Sequence, residues 1–495
     1  MTSYAAFDLG ASQGRGILAR FDGELLHLEE IHRFENRPIE LMGHLHWDAL
    51  YLYSQIKAGL QKMRSTNQGG IASLGVDTWG CDFALLDQQG KLIGNPYCYR
   101  DPQTAGIFDY AFQILTREEI FAQTGLQFME LNSLFQLLAM QKRCDPVLDA
   151  AHTFLHISDL MHYWLTGEKV SEYTNASTSH LLDVIKRDWA YPLIRAFGLP
   201  EHIFPPVVKP GTPLGRLRPA LAEELGLPDL EITATATHDT AAAIVATPVD
   251  RSNFAYLSSG TWGLLGQEVP RPLLTPECLR LNITNEGGAF DNITLLKNIA
   301  NLWLIQECRR HWNTHGNNYT WDDLVEAARQ APEFLAFLDP DDRQFLAPGN
   351  MPARVQAYCA ATKQAVPQTP GEITRVILES LAMKYRYTLN RVQAVSGQDV
   401  DTFHIIGGGS QNRLLNQFTA NATGRRVVAG PSEATAAGNV LVQMVARGDL
   451  SSPEEARELS RRSFPTEEFL PQDRERWDAA YERFLTATVL AAVIL

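Results

Sequence analysis

The chain is 495 residues long, with 45% hydrophobic and 20% charged residues and a formal net charge of −14. That length exceeds one hydrophobic core, so two or more domains are expected, and the composition excludes a disordered chain. The balance of 57 acidic against 43 basic residues excludes a broad nucleic-acid or anionic-membrane surface, which needs clustered cations, but not a nucleotide held by local amides and a metal.

The first stretch, YAAFDLGASQGRGILARF, predicts a strand over Tyr4–Phe7, a glycine loop after Asp8 and a second strand over Gly16–Phe21. The loop matches neither G-x-x-x-x-G-K-[ST] nor G-x-G-x-x-G. Gly10 and Gly14 are expected to supply positive φ and close backbone approach to a ligand. Ser12 and Arg15 add a hydroxyl and a guanidinium suited to phosphate oxygens, and Asp8 makes sense beside Mg²⁺. An ordinary hairpin with a glycine bulge is the competing reading. Asp22-Gly23 marks the next turn.

WDALYLYSQIKAGLQKM predicts a helix with Asp48 near its N-terminus and Leu50, Tyr53, Ile56 and Leu60 on its apolar face. IASLGVDTWGCDFALLDQQG reads as two strands joined around Asp77–Asp82, where Asp77, Trp79, Gly80 and Asp82 fit a sugar pocket or a plain hairpin. FLHISDLMHYWLTG has helical spacing and a glycine stop at Gly167. EITATATHDTAAAIVATP predicts a strand ending at Thr237 and then a small-residue helix. Asp239 there is either a positioned base for a hydroxyl proton or a helix cap; His238 is either a site residue or a packed core histidine.

The pattern restarts at FAYLSSGTWGLLGQEV, Phe254–Val269, again strand, small polar loop, strand. It suggests either a duplication or chance, and places a boundary near Pro248–Ser252, dividing the chain into 1–248 and 249–495. Lys297, Asn298 and Gln306 fall in LLKNIANLWLIQE, whose remaining residues read as the apolar face of a helix. Ile373–Val395 predicts a long helix. DTFHIIGGGSQNRLL then predicts a strand, the turn Gly407-Gly408-Gly409, and a helix capped by Ser410 or Asn412.

The six cysteines have no C-x-x-C spacing and read as reduced, mostly buried thiols. His44, His46, His156 and His162 form no convincing metal set. With no signal-like N-terminus, and with the apolar run Val489–Leu495 too short to span a bilayer, a cytoplasmic chain is expected whose last residues end a docking helix.

FDLGASQGRG, THDTAAA, YLSSGTW and IIGGGSQN, in this order over Tyr4–Val440, resemble the FGGY carbohydrate kinases, as do ISDLMHYWLTGE and SEYTNASTSHLLDVIKRDW between them. The resemblance implies an α/β fold of two ribonuclease H-like domains, of the actin and hexokinase ATPase type, with a cleft between them. Residues 1–248 would carry the sugar site and first phosphate loop, and residues 249–495 the adenosine site. It implies ATP and Mg²⁺, a ketose phosphorylated at its 1-hydroxyl, no nucleic-acid or membrane partner, and a monomer or homodimer. DTWGCDFALLDQQG, NITNEGGAF, LLKNIANLWLIQ and VVAGPSEAT point within the family to L-rhamnulose and L-rhamnose catabolism. The alternatives are L-fuculose or L-xylulose, or a non-catalytic sugar or nucleotide sensor.

By the same resemblance Asp239 is the catalytic base, and Gly80, His238, Asp239, Thr240 and Asn298 line the sugar site. Ala11, Ser12, Gln13, Gly14, Arg15, Thr261, Gln306 and Gly408 contact ATP, and Asp8 holds Mg²⁺. Thr419 and Thr423 stand where a related enzyme carries a cysteine pair, so no disulfide is expected.

Overall fold

The computed structural model describes residues 1–67, 69–250, 253–488 and 490. Its contacts group the chain into two units. The first comprises Met1–Thr247, Glu268–Leu295 and Ala434–Ser463, and the second the remaining described residues. Beside a division at 248/249, two later segments thus belong with the N-terminal unit. Part of the expected boundary, Arg251 and Ser252, lies outside the described residues, as does most of the apolar C-terminal run.

In the first unit a mixed sheet is built from β1 (Thr2–Leu9), β2 (Gln13–Phe21), β3 (Leu26–Glu35), β4 (Ser73–Thr78), β5 (Thr212–Arg216) and β6 (Glu231–Ala234), in the order β5-β6-β4-β1-β2-β3. β1 pairs antiparallel with β2 and parallel with β4, and β6 continues the parallel set. Tyr4, Ala5, Ala6, Phe7 and Leu9 are all buried, so β1 is covered on both faces, as its near-continuous apolar run requires. The helix Ala49–Thr66 packs Leu52, Ile56, Leu60 and Met63 into the core, and Asp48 caps it by accepting from Tyr51 N. The buried stripe is rotated from the expected one: Leu50 is exposed and Leu52 takes its place.

Two local expectations change. Asp77–Asp82 does not join a hairpin, because β4 lies in the main sheet while Phe83–Leu86 pairs with Thr153–His156. The segment Phe154–Gly167 is not helical throughout; a short strand precedes the helix Ile157–Thr166, which Gly167 ends in the left-handed conformation.

The second unit repeats the pairing scheme. β7 (Phe254–Ser259) is antiparallel to β8 (Trp262–Val269) and parallel to β9 (Thr402–Ile406); β9 is parallel to β10 (Arg426–Ala429), and β10 antiparallel to β11 (Glu467–Phe469). In the first unit β2, β1, β4, β6 and β5 follow the same sequence of antiparallel, parallel, parallel and antiparallel pairs. A long helix, Pro370–Ser396, starts with a capping box of Thr369 and Glu372. LLKNIANLWLIQE is the main correction here: Ile293–Ala300 is a strand, and the helix begins only at Trp303. Its polar pair Lys297-Asn298 falls mid-strand, and the short apolar pieces on either side suit a helix face as well as a strand.

All six cysteines are free thiols, and only Cys144 is exposed. Among the described residues no helix is long and apolar enough to cross a membrane.

The helix Ala434–Arg447 packs on the helix Asp239–Val245 within the first unit, and at Gly438 a Cβ would fall 1.7 Å from the Ala242 carbonyl oxygen. Gly438→Ala must push the two helices apart. Urea unfolding should register a loss of about 1–3 kcal/mol, the usual scale for overpacking a close contact.

Candidate active site

The parallel register of β1 and β4 sets Asp8 beside Asp77. One residue on, Thr78 bridges to His238 and its amide donates to Thr237 O at 2.8 Å, so the turn into Asp239 joins the same row of strand ends. Asp8, Asp77 and Asp239 therefore gather where parallel strands end, the usual place for a ligand site in such sheets. Arg15 donates to Asp8 Oδ2 at 2.5 Å, and Asn439 Nδ2 donates to Asp77 Oδ2 at 2.6 Å. Asp77 Oδ1 is buried with no hydrogen-bond partner among the described residues.

The electrostatics follow. Burial first and the Asp8 charge second push the Asp77 carboxyl well above the ordinary carboxylate range, against the Asn439 hydrogen bond. Asp239 is pushed up to about 7, by desolvation and then by Asp8, although Thr240 donates to it. Its side chain keeps 33% of its surface, so it stays accessible. Asp239 is the first residue of its helix rather than the cap, which is His238.

The loop before Arg15 is a tight turn. Gly10 N donates to Gln13 O at 2.9 Å, and Asn36 clamps the turn by donating from Nδ2 to Gly10 O and from its amide to Ser12 O. Ser12 and Gln13 are exposed and Ala11 half-buried. The glycines serve a different purpose from the expected one. Neither Gly10 nor Gly14 has positive φ. Gly14 lies in β2, where a Cβ would meet the Phe34 ring at 2.1 Å, so glycine is there to admit an aromatic ring from β3.

Gly80 packs against Thr178, whose hydroxyl would lie 2.9 Å from a Cβ. Asp82 is consumed structurally, accepting from Trp47 Nε1, Trp79 Nε1, Tyr99 N and Gln136 Nε2. Sequence reasoning missed Glu172. This fully buried carboxylate accepts from the amides of Thr174, Asn175 and Thr237 and from the hydroxyls of Thr174 and Thr237, fixing the approach to His238 and Asp239. Its position in KVSEYTN carries no periodic signal; only the number of donors converging on it in three dimensions marks it.

In the second unit Thr261 Oγ1 donates to Gln306 Oε1 at 3.2 Å, which brings two of the expected nucleotide residues together. Asn301 Nδ2 reaches Ser259 Oγ at 3.0 Å and Gly260 O at 3.1 Å, tying down the β7–β8 turn. The GGG turn lies against the same strand end. Gly407 has φ +82°, and at Gly409 a Cβ would fall 2.0 Å from Ser259 Oγ, whereas nothing crowds Gly408. Asn298 is half-buried in its strand next to Lys297, whose amine burial pushes down to about 8.

The chain matches the N-terminal domain of the FGGY family of carbohydrate kinases over residues 3–246 and the C-terminal domain of that family over 255–447. This chain belongs to the FGGY family of carbohydrate kinases. A rhamnulokinase of Bacteroides thetaiotaomicron is 44% identical over 482 residues, covering 97% of this chain and 98% of that one. One from Enterococcus faecalis is 42% identical over 470 residues, covering 94% and 93%. Among solved structures, a ligand-bound xylulose kinase from Lactobacillus acidophilus superposes with a TM-score of 0.82 at 14% identity over 99% of both chains, a likeness of fold. In this FGGY chain the carboxylates fall in the N-terminal match, and Thr261, Gln306 and Gly408 in the C-terminal one.

The raised Asp239 carboxyl has a measurable consequence. Its ordinary value is near 4 and its folded value about 7, so the folded state favours the protonated form. Folding stability is therefore highest below the ordinary value and declines as pH rises from there toward 7. Asp239→Asn removes that decline. Its melting temperature should exceed that of the unaltered protein at pH 8, with the gap narrowing at pH 5.

Proposed function

We propose that this kinase transfers the γ-phosphoryl group of ATP to the 1-hydroxyl of L-rhamnulose, with Asp239 accepting the hydroxyl proton. The observation that carries the chemistry is the Asp239 carboxylate itself, accessible at the row of strand ends and tuned to about 7, where a base is ionised yet still takes a proton. The choice of sugar rests on the rhamnulokinases that align with nearly the whole chain.

In the reaction the sugar O–H bond breaks, its proton passes to Asp239, and the oxygen electron pair attacks the γ-phosphorus as the bond to ADP breaks. Positioning and charge stabilisation carry most of such a transfer. Gly80, His238, Thr240 and Asn298 line the sugar. Ala11, Ser12, Gln13, Gly14 and Arg15 contact the phosphates, with Ser12 and Gln13 on the exposed side of the turn, and Thr261, Gln306 and Gly408 contact the nucleotide.

Mg²⁺ fits the residues present. The aspartates are hard oxygen donors that repel one another, and Asp77 Oδ1 has no hydrogen-bond partner. Among the described residues no three His, Cys, Asp or Glu side chains form a metal-holding group. A Mg²⁺ ion held by Asp8, with water and nucleotide oxygens completing its shell, suits that set, since this ion commonly uses one or two carboxylates plus phosphate. When bound it neutralises phosphate charge. The kinase works in the cytoplasm as a monomer or homodimer.

A coupled ADP-release assay over L-rhamnulose, L-fuculose, L-xylulose and their D-counterparts tests the substrate; another ketose turning over far better than L-rhamnulose would overturn it. Asp239→Asn should lower kcat by about 10²–10⁴-fold, the scale for a positioned base, with ATP binding retained in calorimetry. Near-normal turnover in that variant would remove Asp239 from the mechanism.

A further inference from the structure

NITNEGGAF was singled out from the sequence, yet none of its residues has a role in the site described so far. Its strand, Thr284–Gly287, is held rigidly in the first unit. Gly287 N donates to Ser177 Oγ at 2.8 Å, and a Cβ at Gly287 would fall 2.4 Å from the Tyr173 ring. All four of its residues are buried, and the charged one among them is Glu286, only 6% exposed.

Glu286 faces the back of the base. His238 stands between two carboxylates: its Nε2 is 3.5 Å from Asp239 Oδ1 and its Nδ1 is 3.5 Å from Glu286 Oε2. Glu286 Oε2 has no hydrogen-bond partner among the described residues, while Thr284 Oγ1 donates to Glu286 Oε1 at 3.5 Å. The His238 backbone cannot drift, since its amide donates to Thr174 Oγ1 and the preceding residue is fixed by Glu172. A buried carboxylate of this kind needs a donor, and the imidazole is the group placed to provide one.

We infer that Glu286 is a positioning residue of this kinase, acting through His238 on the base Asp239. The inference rests on the reading of Asp239 as the base. Glu286 accepts the Nδ1–H of His238, which fixes the tautomer with the Nε2 lone pair facing Asp239. When Asp239 takes the proton of the acceptor hydroxyl, its new O–H donates to that lone pair. No further bond changes: the proton stays on Asp239 and returns to solvent after the product leaves.

The surrounding groups agree with that division. Burial lowers the basicity of His238, with the neighbouring His156 adding to the effect and the Glu286 charge opposing it. Asp239 and Glu286 are both raised by burial; Asp8 adds to the rise at Asp239, and Asp239 to that at Glu286. The transferred proton therefore rests on Asp239 rather than on the ring, while Glu286 keeps the Nδ1–H of His238 as its donor. Cys81, whose thiol burial raises further, also faces Glu286 and stays neutral. Glu286 is thus arranged to strengthen one hydrogen bond that exists only once Asp239 has been protonated, and such a bond favours the transition state over the ground state.

The test is steady-state kinetics of Glu286→Gln and Glu286→Asp as a function of pH, beside Asp239→Asn. Glu286→Gln should lower kcat by about tenfold, the low end of what one positioned proton-transfer partner contributes, with KM for L-rhamnulose within about twofold. Removing a negative charge behind Asp239 should also shift the acid limb of kcat to lower pH. Glu286→Asp, which keeps the charge, should recover most of the rate, and nitrogen NMR of His238 should report a bare Nε2 in the unaltered protein and lose that preference in Glu286→Gln. A loss of kcat with melting and pH profile unchanged, or a raised KM at constant kcat, would overturn the inference, the latter because Glu286 would then bind sugar directly. If Glu286→Gln is indistinguishable from the parent while Asp239→Asn is dead, this inference fails and the base survives; if Asp239→Asn is active, the base reading itself fails.

Discussion

Asp8, Asp77 and Asp239 repel one another at adjoining strand ends of one sheet, and the first unit is fitted around that repulsion. Each carboxylate is restrained differently. Asp8 has the Arg15 guanidinium, Asp77 has the Asn439 amide and is shifted toward its neutral form, and Asp239 has only Thr240 as a donor and keeps part of its surface open. A set of acids with graded partners does not titrate together.

Holding such a cluster in place takes a buried polar scaffold. Gln443 links Asn439 to the β1 carbonyl of Ala5, and Thr235 donates to Asn439 O, so the residue that supports Asp77 is itself fixed from two sides. Gly75 allows this approach, since a Cβ there would fall 2.4 Å from Asn439 Oδ1. Networks of this kind specify one arrangement strongly when complete and destabilise when broken, because each orphaned group would sit in a low dielectric. Local strand and helix choices count for less here than side chains far apart in sequence.

That separation decides what could be read in advance. The β1–β2 hairpin, the β7–β8 hairpin, the Asp48 cap, the helix ending at Gly167 and the Asn412 cap follow from short-range patterns, and all are present. The segment Ile293–Ala300 reads as helix in the sequence because the apolar pairs on either side of Lys297-Asn298 are too short to separate a period of 2 from one of 3.6. The glycines of the first loop were correctly located and wrongly explained: Gly14 makes room for Phe34, a partner that lies 20 residues on and is invisible to a motif. Asp239 was legible as a member of a polar segment at a strand–helix junction. Glu172, Asn439 and Glu286 were not, since their meaning lies in donors and rings brought together only by the fold.

The repeated strand scheme shows where the two units have diverged. In the first, Asp8 faces Arg15 across the hairpin and Asp77 across the parallel pair. In the second, the equivalent strand position is Ser258, which faces Leu264 and Ile406. Three charged groups on one ladder are thus replaced by a hydroxyl and two apolar side chains on the other. With no carboxylates to screen, the second unit can bring the bare backbone of Gly407–Gly409 against the end of its first strand, as the Gly409 approach to Ser259 requires. A glycine backbone of that kind presents its amides with no side chain in the way. The two units therefore share one strand scheme and differ in the side chains carried at its matching positions.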